Sequence, residues 1–82
     1  MLVIAQEEAA EVIQEISKVF RFGIDDLHRD GMTHRKRLEM EVGDLLCMID
    51  LMIDHRLIDP APIEIARQAK VAKLRKYSQI YE

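Results

Sequence analysis

Apolar residues recur at three- and four-residue spacing along two long stretches of this chain, and that period is the period of an α-helix. In the first stretch, from Leu2 to Arg21, Ala5, Ala9, Val12, Ile13, Ile16, Val19 and Phe20 form one stripe. Gly23 follows, and its tolerance of positive φ predicts a helix stop there. The second stretch runs from Thr33, an N-cap by residue type, to about Leu57. Leu38, Val42, Leu45, Leu46, Ile49, Met52 and Ile53 cover one side of it, and Met48 and Leu51 widen that side beyond what one neighbouring helix needs. His55 and Arg56 set positive charge at its C-terminal end, where it suits the helix dipole. Asp59-Pro60 reads as N-cap and first-turn proline of a third helix reaching about Tyr77. Between the first two helices, the polar segment Ile24 to Met32, with its Asp30-Gly31 step, predicts a loop or a single helical turn.

These elements predict an all-α fold: one domain over residues 1–82, a short bundle of about three helices per chain. A chain of 82 residues builds a core that rarely supplies more than ~3–5 kcal/mol unaided. The over-wide face of the second helix therefore predicts that a homodimer or homotetramer completes the bundle. At 49% hydrophobic and 33% charged, the chain is neither a disordered nor a membrane-spanning type. The opening MLVIA runs at once into charged residues, unlike a signal peptide, and the lone Cys47 cannot make an internal disulfide. A cytoplasmic protein is expected. A net charge of −3 and the absence of Trp argue against nucleic acid as a partner, although KVAKLRK is a local basic run.

The carboxylates are patterned. Glu7, Glu8 and Glu11 form EExxE on the first helix and, with Glu15, fall within an arc of roughly 100°. Glu8 and Glu15 border the apolar stripe. On the second helix Glu41 and Asp44 form ExxD along one edge of the apolar face. Like charges at that spacing repel, and two facing helices that each bring such a pair repel further unless a cation lies between them. Oxygen-only ligation by Glu and Asp suits Mg²⁺, or Mn²⁺ in its place, rather than zinc. Taken one at a time, each is equally a solvated charge at the edge of an amphipathic helix.

EEAAE at 7–11 and EVGD at 41–44 resemble the EExxE…ExxD signature of MazG-like nucleotide pyrophosphohydrolases, all-α enzymes that cleave nucleoside triphosphates to monophosphate and pyrophosphate. The surroundings, EEAAEVIQEISKVFRFG and RLEMEVGDLLCMIDLMID, resemble the short members often found in phages, so that most of the chain is covered and the host cytoplasm is implied. The resemblance implies that Glu8, Glu11, Glu41 and Asp44 hold Mg²⁺, and that Glu7 positions or deprotonates the attacking water, a role Glu15 could share. It implies triphosphate contacts from the last helix, where Lys73 with Arg75 or Lys76 fits the family's basic positions. Val71 stands where the family carries Asn. A phosphoribosyl-ATP type of substrate belongs to the same reaction class.

Read from spacing alone, the last helix puts Ile63, Ala66, Leu74 and Tyr77 on one face with Lys70 in its middle, so Lys70 either snorkels or joins Lys73 at the phosphates. Cys47 reads as a small, partly buried core residue. His28 and His34 flank the loop as solvated side chains with access to a substrate. Arg21, Asp25, Asp26, Asp30 and Arg35 lie in or near the loop, as its ion pairs or as nucleotide contacts. The competing function is a non-catalytic helical module that dimerises, or binds a partner helix, through the wide face. It leaves the two carboxylate pairs unexplained, and melting with and without MgCl₂ or MnCl₂ separates the readings.

Overall fold

Local chemistry sets the ends of each element in the computed structural model, which describes residues 1–27, 30–78 and 80. Helix α1 (Leu2–Phe22) stops at Gly23, whose φ of 94° lies where only glycine sits without strain, and whose N–H donates to the Val19 carbonyl at 2.9 Å. Helix α2 (His34–Asp54) begins where the Thr33 hydroxyl accepts from the Lys36 N–H at 3.1 Å. Helix α3 (Pro60–Tyr77) begins where the Asp59 carboxylate accepts from the Ala61 N–H at 3.0 Å. Among the described residues there is no strand, only an isolated bridge between Leu27 and Thr33. The fold is all-α, and no helix among the described residues is long and apolar enough to cross a membrane.

Helix α2 ends three residues before the expected Leu57. Arg56 takes a left-handed φ of 60°, its N–H donates to the Ile53 carbonyl, and the Leu57 N–H donates to the Met52 carbonyl, both at 2.9 Å. That pair of bonds is a Schellman closure, which satisfies the last carbonyls and turns the chain out of the helix. Glycine is the usual occupant of the left-handed position, so Arg56 hid the stop.

Helices α1 and α2 form an antiparallel hairpin: Glu15 meets His34 at one end, and Glu8 lies near Asp44 at the other. The inward line of α1 is Ala5, Glu8, Val12, Glu15 and Val19; that of α2 is His34, Leu38, Glu41, Leu45, Met48 and Met52. Three of these seam positions carry glutamate. The broader stripe read from α1 is only half used, because Ile13, Ile16 and Phe20 are exposed, Phe20 at 86%.

Helix α3 does not close over the hairpin. The molecule measures 41 × 36 × 14 Å, and α3 makes little contact with α1 or α2. Only α1 and α2 pack extensively on each other, and Ala5 and Met48 are the only buried apolar residues among those described. On α3 the half-buried positions are Ile63, Val71 and Leu74, whereas Ala66, Lys70 and Tyr77 are exposed. The face read from the sequence is therefore rotated, and Lys70 lies off the inward line. Cys47, expected to be partly buried, is exposed, because nothing covers the side of α2 turned away from α1.

Candidate metal centre

An antiparallel hairpin brings an i, i+3 pair on one helix against an i, i+3 pair on the other when the registers match. Here they match: Glu8 and Glu11 of α1 meet Glu41 and Asp44 of α2, and one carboxylate oxygen from each lies within 4.8 Å of all the others. Glu8 and Glu41 occupy the seam and are half-buried, while Glu11 and Asp44 stand at its exposed edge. The Oε2 atoms of Glu8 and Glu41 are shielded from solvent and accept no hydrogen bond.

The electrostatics follow from that crowding. The Glu41 carboxyl is pushed up to about 7, first by a hydrogen bond with Glu11 that needs a proton, then by burial, then by the charges of Glu11, Asp44 and Glu8. Glu8 is also raised, by burial first and then by Glu11, Asp44 and Glu7. Every charge acting on these two groups is another carboxylate. A proton shared between them relieves the repulsion in part, and a divalent cation would relieve it more fully. Four carboxylates from two helices are a donor set for a hard cation, and the set has no histidine or thiolate to favour zinc or copper.

The other expected residues are placed as follows. Glu7 is exposed on the turn that carries Glu8, close enough for its charge to act there. Glu15 is not with the four. It is only 4% exposed, its Oε1 accepts from Lys18 Nζ at 3.2 Å, and its Oε2 lies 3.7 Å from His34 Nδ1. His34, read as a solvated loop residue, is instead 2% exposed, stacked on Phe22 with ring centres 5.6 Å apart, with its Nε2 3.9 Å from Asp26. As the residue after the Thr33 cap, it is the first inward position of α2. The signal was its register with Leu38, Glu41 and Leu45, three and four residues apart. His28 lies outside the described residues.

The loop charges pair within the loop and its borders. Arg35 donates to both oxygens of Asp25, at 2.9 and 3.3 Å, and this holds the Asp25 carboxyl below its usual range. Arg37 pairs with Asp30, and the Arg21 guanidinium lies 5.0 Å from the centre of the Phe22 ring. On α3, Lys70, Lys73, Arg75 and Lys76 are exposed, and Lys76 lies over the Tyr77 ring at 5.2 Å. These four cations are not brought to the carboxylates within one chain. No protein-family model, curated protein or solved structure matches this chain.

Proposed function

We propose that this chain is a Mg²⁺-dependent nucleoside triphosphate pyrophosphohydrolase of the MazG-like kind, working as a homodimer or homotetramer. One observation carries the reading: four of the five carboxylates of the EExxE and ExxD motifs, 30 residues apart in sequence, converge within 4.8 Å. Glu8, Glu11, Glu41 and Asp44 would hold the cation, Mg²⁺ or Mn²⁺, which when bound neutralises triphosphate oxygens and makes a ligating water more acidic.

The chain's own groups do the rest. Glu7, exposed beside Glu8, would orient the attacking water and accept its proton. Attack in line on phosphorus would then release pyrophosphate and leave the nucleoside monophosphate. Glu15 is withdrawn from that role, since its oxygens face Lys18 and His34. Lys70, Lys73, Arg75 and Lys76 would reach phosphates only from a position outside the hairpin seam, so they are not needed for the reading. A purely structural helical module would account for the exposed apolar residues but not for four converging carboxylates without a counter-cation. The test is a panel of NTPs and dNTPs with Mg²⁺, assayed for monophosphate and pyrophosphate. Turnover of at least one, lost in Asp44→Asn, is the expected result; no turnover on any would overturn it.

A further inference from the structure

The proposed function leaves the basic run on α3 unused. Residues 67–76, RQAKVAKLRK, carry five cations and no anion, so +5 sits in ten residues while the rest of the chain carries −8. The net charge of −3, which argues against nucleic acid, is therefore an average over two unlike parts. Those parts touch little: α1 and α2 pack on each other, whereas α3 makes few contacts with either. The groove between α2 and α3 reaches along α3 only as far as Arg67, where the run begins. At about 0.1 M salt, exposed charges more than ~10 Å apart are largely screened from one another, so an anion at α3 meets chiefly the run itself.

Arg67, Lys70, Lys73, Arg75 and Lys76 are all exposed. Lys70 and Lys73 make no ion pair among the described residues, and Arg67 pairs within its own helix, with Glu64 at 3.3 Å. Arg67, Lys70, Lys73 and Lys76 follow at three-residue steps, which makes each a surface neighbour of the next along one winding stripe. Exposed alanines at 66, 69 and 72 lie between them, so nothing bulky holds a partner's backbone away. The stripe is about 14 Å long. One strand of a duplex presents a phosphate every ~3.4 Å, about four over that length, against four cations in the stripe. Tyr77, 76% exposed at the end of the run, adds a hydroxyl able to donate to a phosphate oxygen. Other anionic partners fit less well. A membrane surface asks for bulky apolar side chains beside the lysines, and an acidic protein asks for an apolar or aromatic anchor. Within 67–76 the only large apolar residues are Val71 and Leu74, and both are half-buried. Phosphate contacts need no apolar core, because released counterions supply the driving force.

We propose that α3 docks on the phosphate backbone of duplex nucleic acid, independently of base sequence, through Arg67, Lys70, Lys73 and Lys76. A lysine on its flexible stem meets phosphate as a point charge, and a phosphate contact carries no sequence information. Docking on this face involves none of the four converging carboxylates, so it stands or falls apart from hydrolysis.

Fluorescence anisotropy tests it with the intact chain and a labelled DNA duplex of about 20 base pairs, in EDTA, at salt from about 50 to 200 mM. Wild type should bind with a Kd of about 1 µM at the lowest salt. Four phosphate contacts give a slope of about −3.6 in log K against log salt, an about 150-fold loss across that range. Lys73→Gln should reduce the slope by about 0.9. Lys36→Gln, the same charge change on exposed α2 surface, should leave it unchanged. Replacing Lys70, Lys73 and Lys76 together by Gln should abolish binding with helicity retained in circular dichroism. Should that triple variant lose helicity, the two single variants decide. No binding at the lowest salt, or equal losses in Lys73→Gln and Lys36→Gln, overturns the proposal. So does tighter binding to poly-glutamate or to phosphatidylserine vesicles than to DNA, which would assign the face to an acidic protein or to a membrane. Docking without triphosphate turnover would overturn the functional reading alone; turnover without docking would overturn only this one.

Discussion

Two carboxylate groups sit in the same helix seam, two turns of α1 apart, and their surroundings differ in one respect. Glu15 is almost fully buried and has its cation in the chain: Lys18 Nζ at 3.2 Å, with the His34 ring at 3.7 Å. Glu8 and Glu41, together with Glu11 and Asp44, meet only other carboxylates among the charges of the described residues. Burying a charge is tolerable when it is paired and costly when it is not. The Glu15 cluster is therefore a fastener for the loop end of the hairpin. The other cluster is a deficit of positive charge kept at the seam, and that deficit is what a metal–phosphate substrate could fill.

The comparison can be broken most sharply at its acidic end. Glu41→Gln or Asp44→Asn should lower kcat by about 10³-fold, ~4 kcal/mol of transition-state stabilisation, measured with saturating Mg²⁺. The same change removes one of several crowded negative charges, so the metal-free protein should melt at the same or a higher temperature. A lower melting point would make this cluster a fastener too.

Glu15→Ala should do the opposite. It takes the carboxylate from Lys18 and from the Nδ1 side of His34 and should cost about 3 kcal/mol of stability in denaturant unfolding, with kcat of the folded fraction little changed. Next in size, MgCl₂ or MnCl₂ at a hundred times its Kd should add about 2.7 kcal/mol to wild-type stability. Glu41→Gln should lose most of that gain, while the Glu15 variant keeps it.

The pH dependence of the metal-free protein sharpens the same contrast. The Glu41 carboxyl lies above its ordinary 4.5, at about 7, so the folded chain binds a proton that the unfolded chain has released. Its stabilising contribution is full below pH 4.5 and lost as the pH rises through 7. Melting midpoints should fall across that window without metal, and the fall should shrink in Glu41→Gln. The smallest effect is expected at Gly43, between Glu41 and Asp44, where an added methyl group meets nothing within 4 Å. Gly43→Ala should stabilise α2 by about 0.5–1 kcal/mol through helix propensity alone. A loss of activity in that variant would mean that substrate passes close to the backbone there.

Much of this was legible in the residues. Thr33, Asp59-Pro60 and Gly23 name their own positions, because capping depends on side chains within two or three residues. Matched spacing on two amphipathic helices pointed to facing carboxylate pairs, and the resemblance to the EExxE…ExxD signature singled out Glu8, Glu11, Glu41 and Asp44 among them. What the pattern did not carry was tertiary. Ile13, Ile16 and Phe20 look like core because periodicity reports apolar residues, not what covers them. His34 looks solvated and Glu15 looks like a site residue for the converse reason: a polar residue in a seam register is read by its type unless its partner is known. The rotation of the α3 face depends on where that helix rests, and the Arg56 turn depends on a left-handed residue that composition does not announce.

The order of the elements along the chain has a consequence for how the protein is made. The seam and all four converging carboxylates lie within residues 2–54, and the link between the two helices, residues 23–33, is short. Helices and short loops form in microseconds, whereas residues 55–82 take about 1–6 s to add at roughly 5–20 residues per second. The hairpin is thus complete in sequence while α3 is still being synthesised. Neither the seam nor the carboxylate cluster takes a residue from the third helix, so both are specified before it exists.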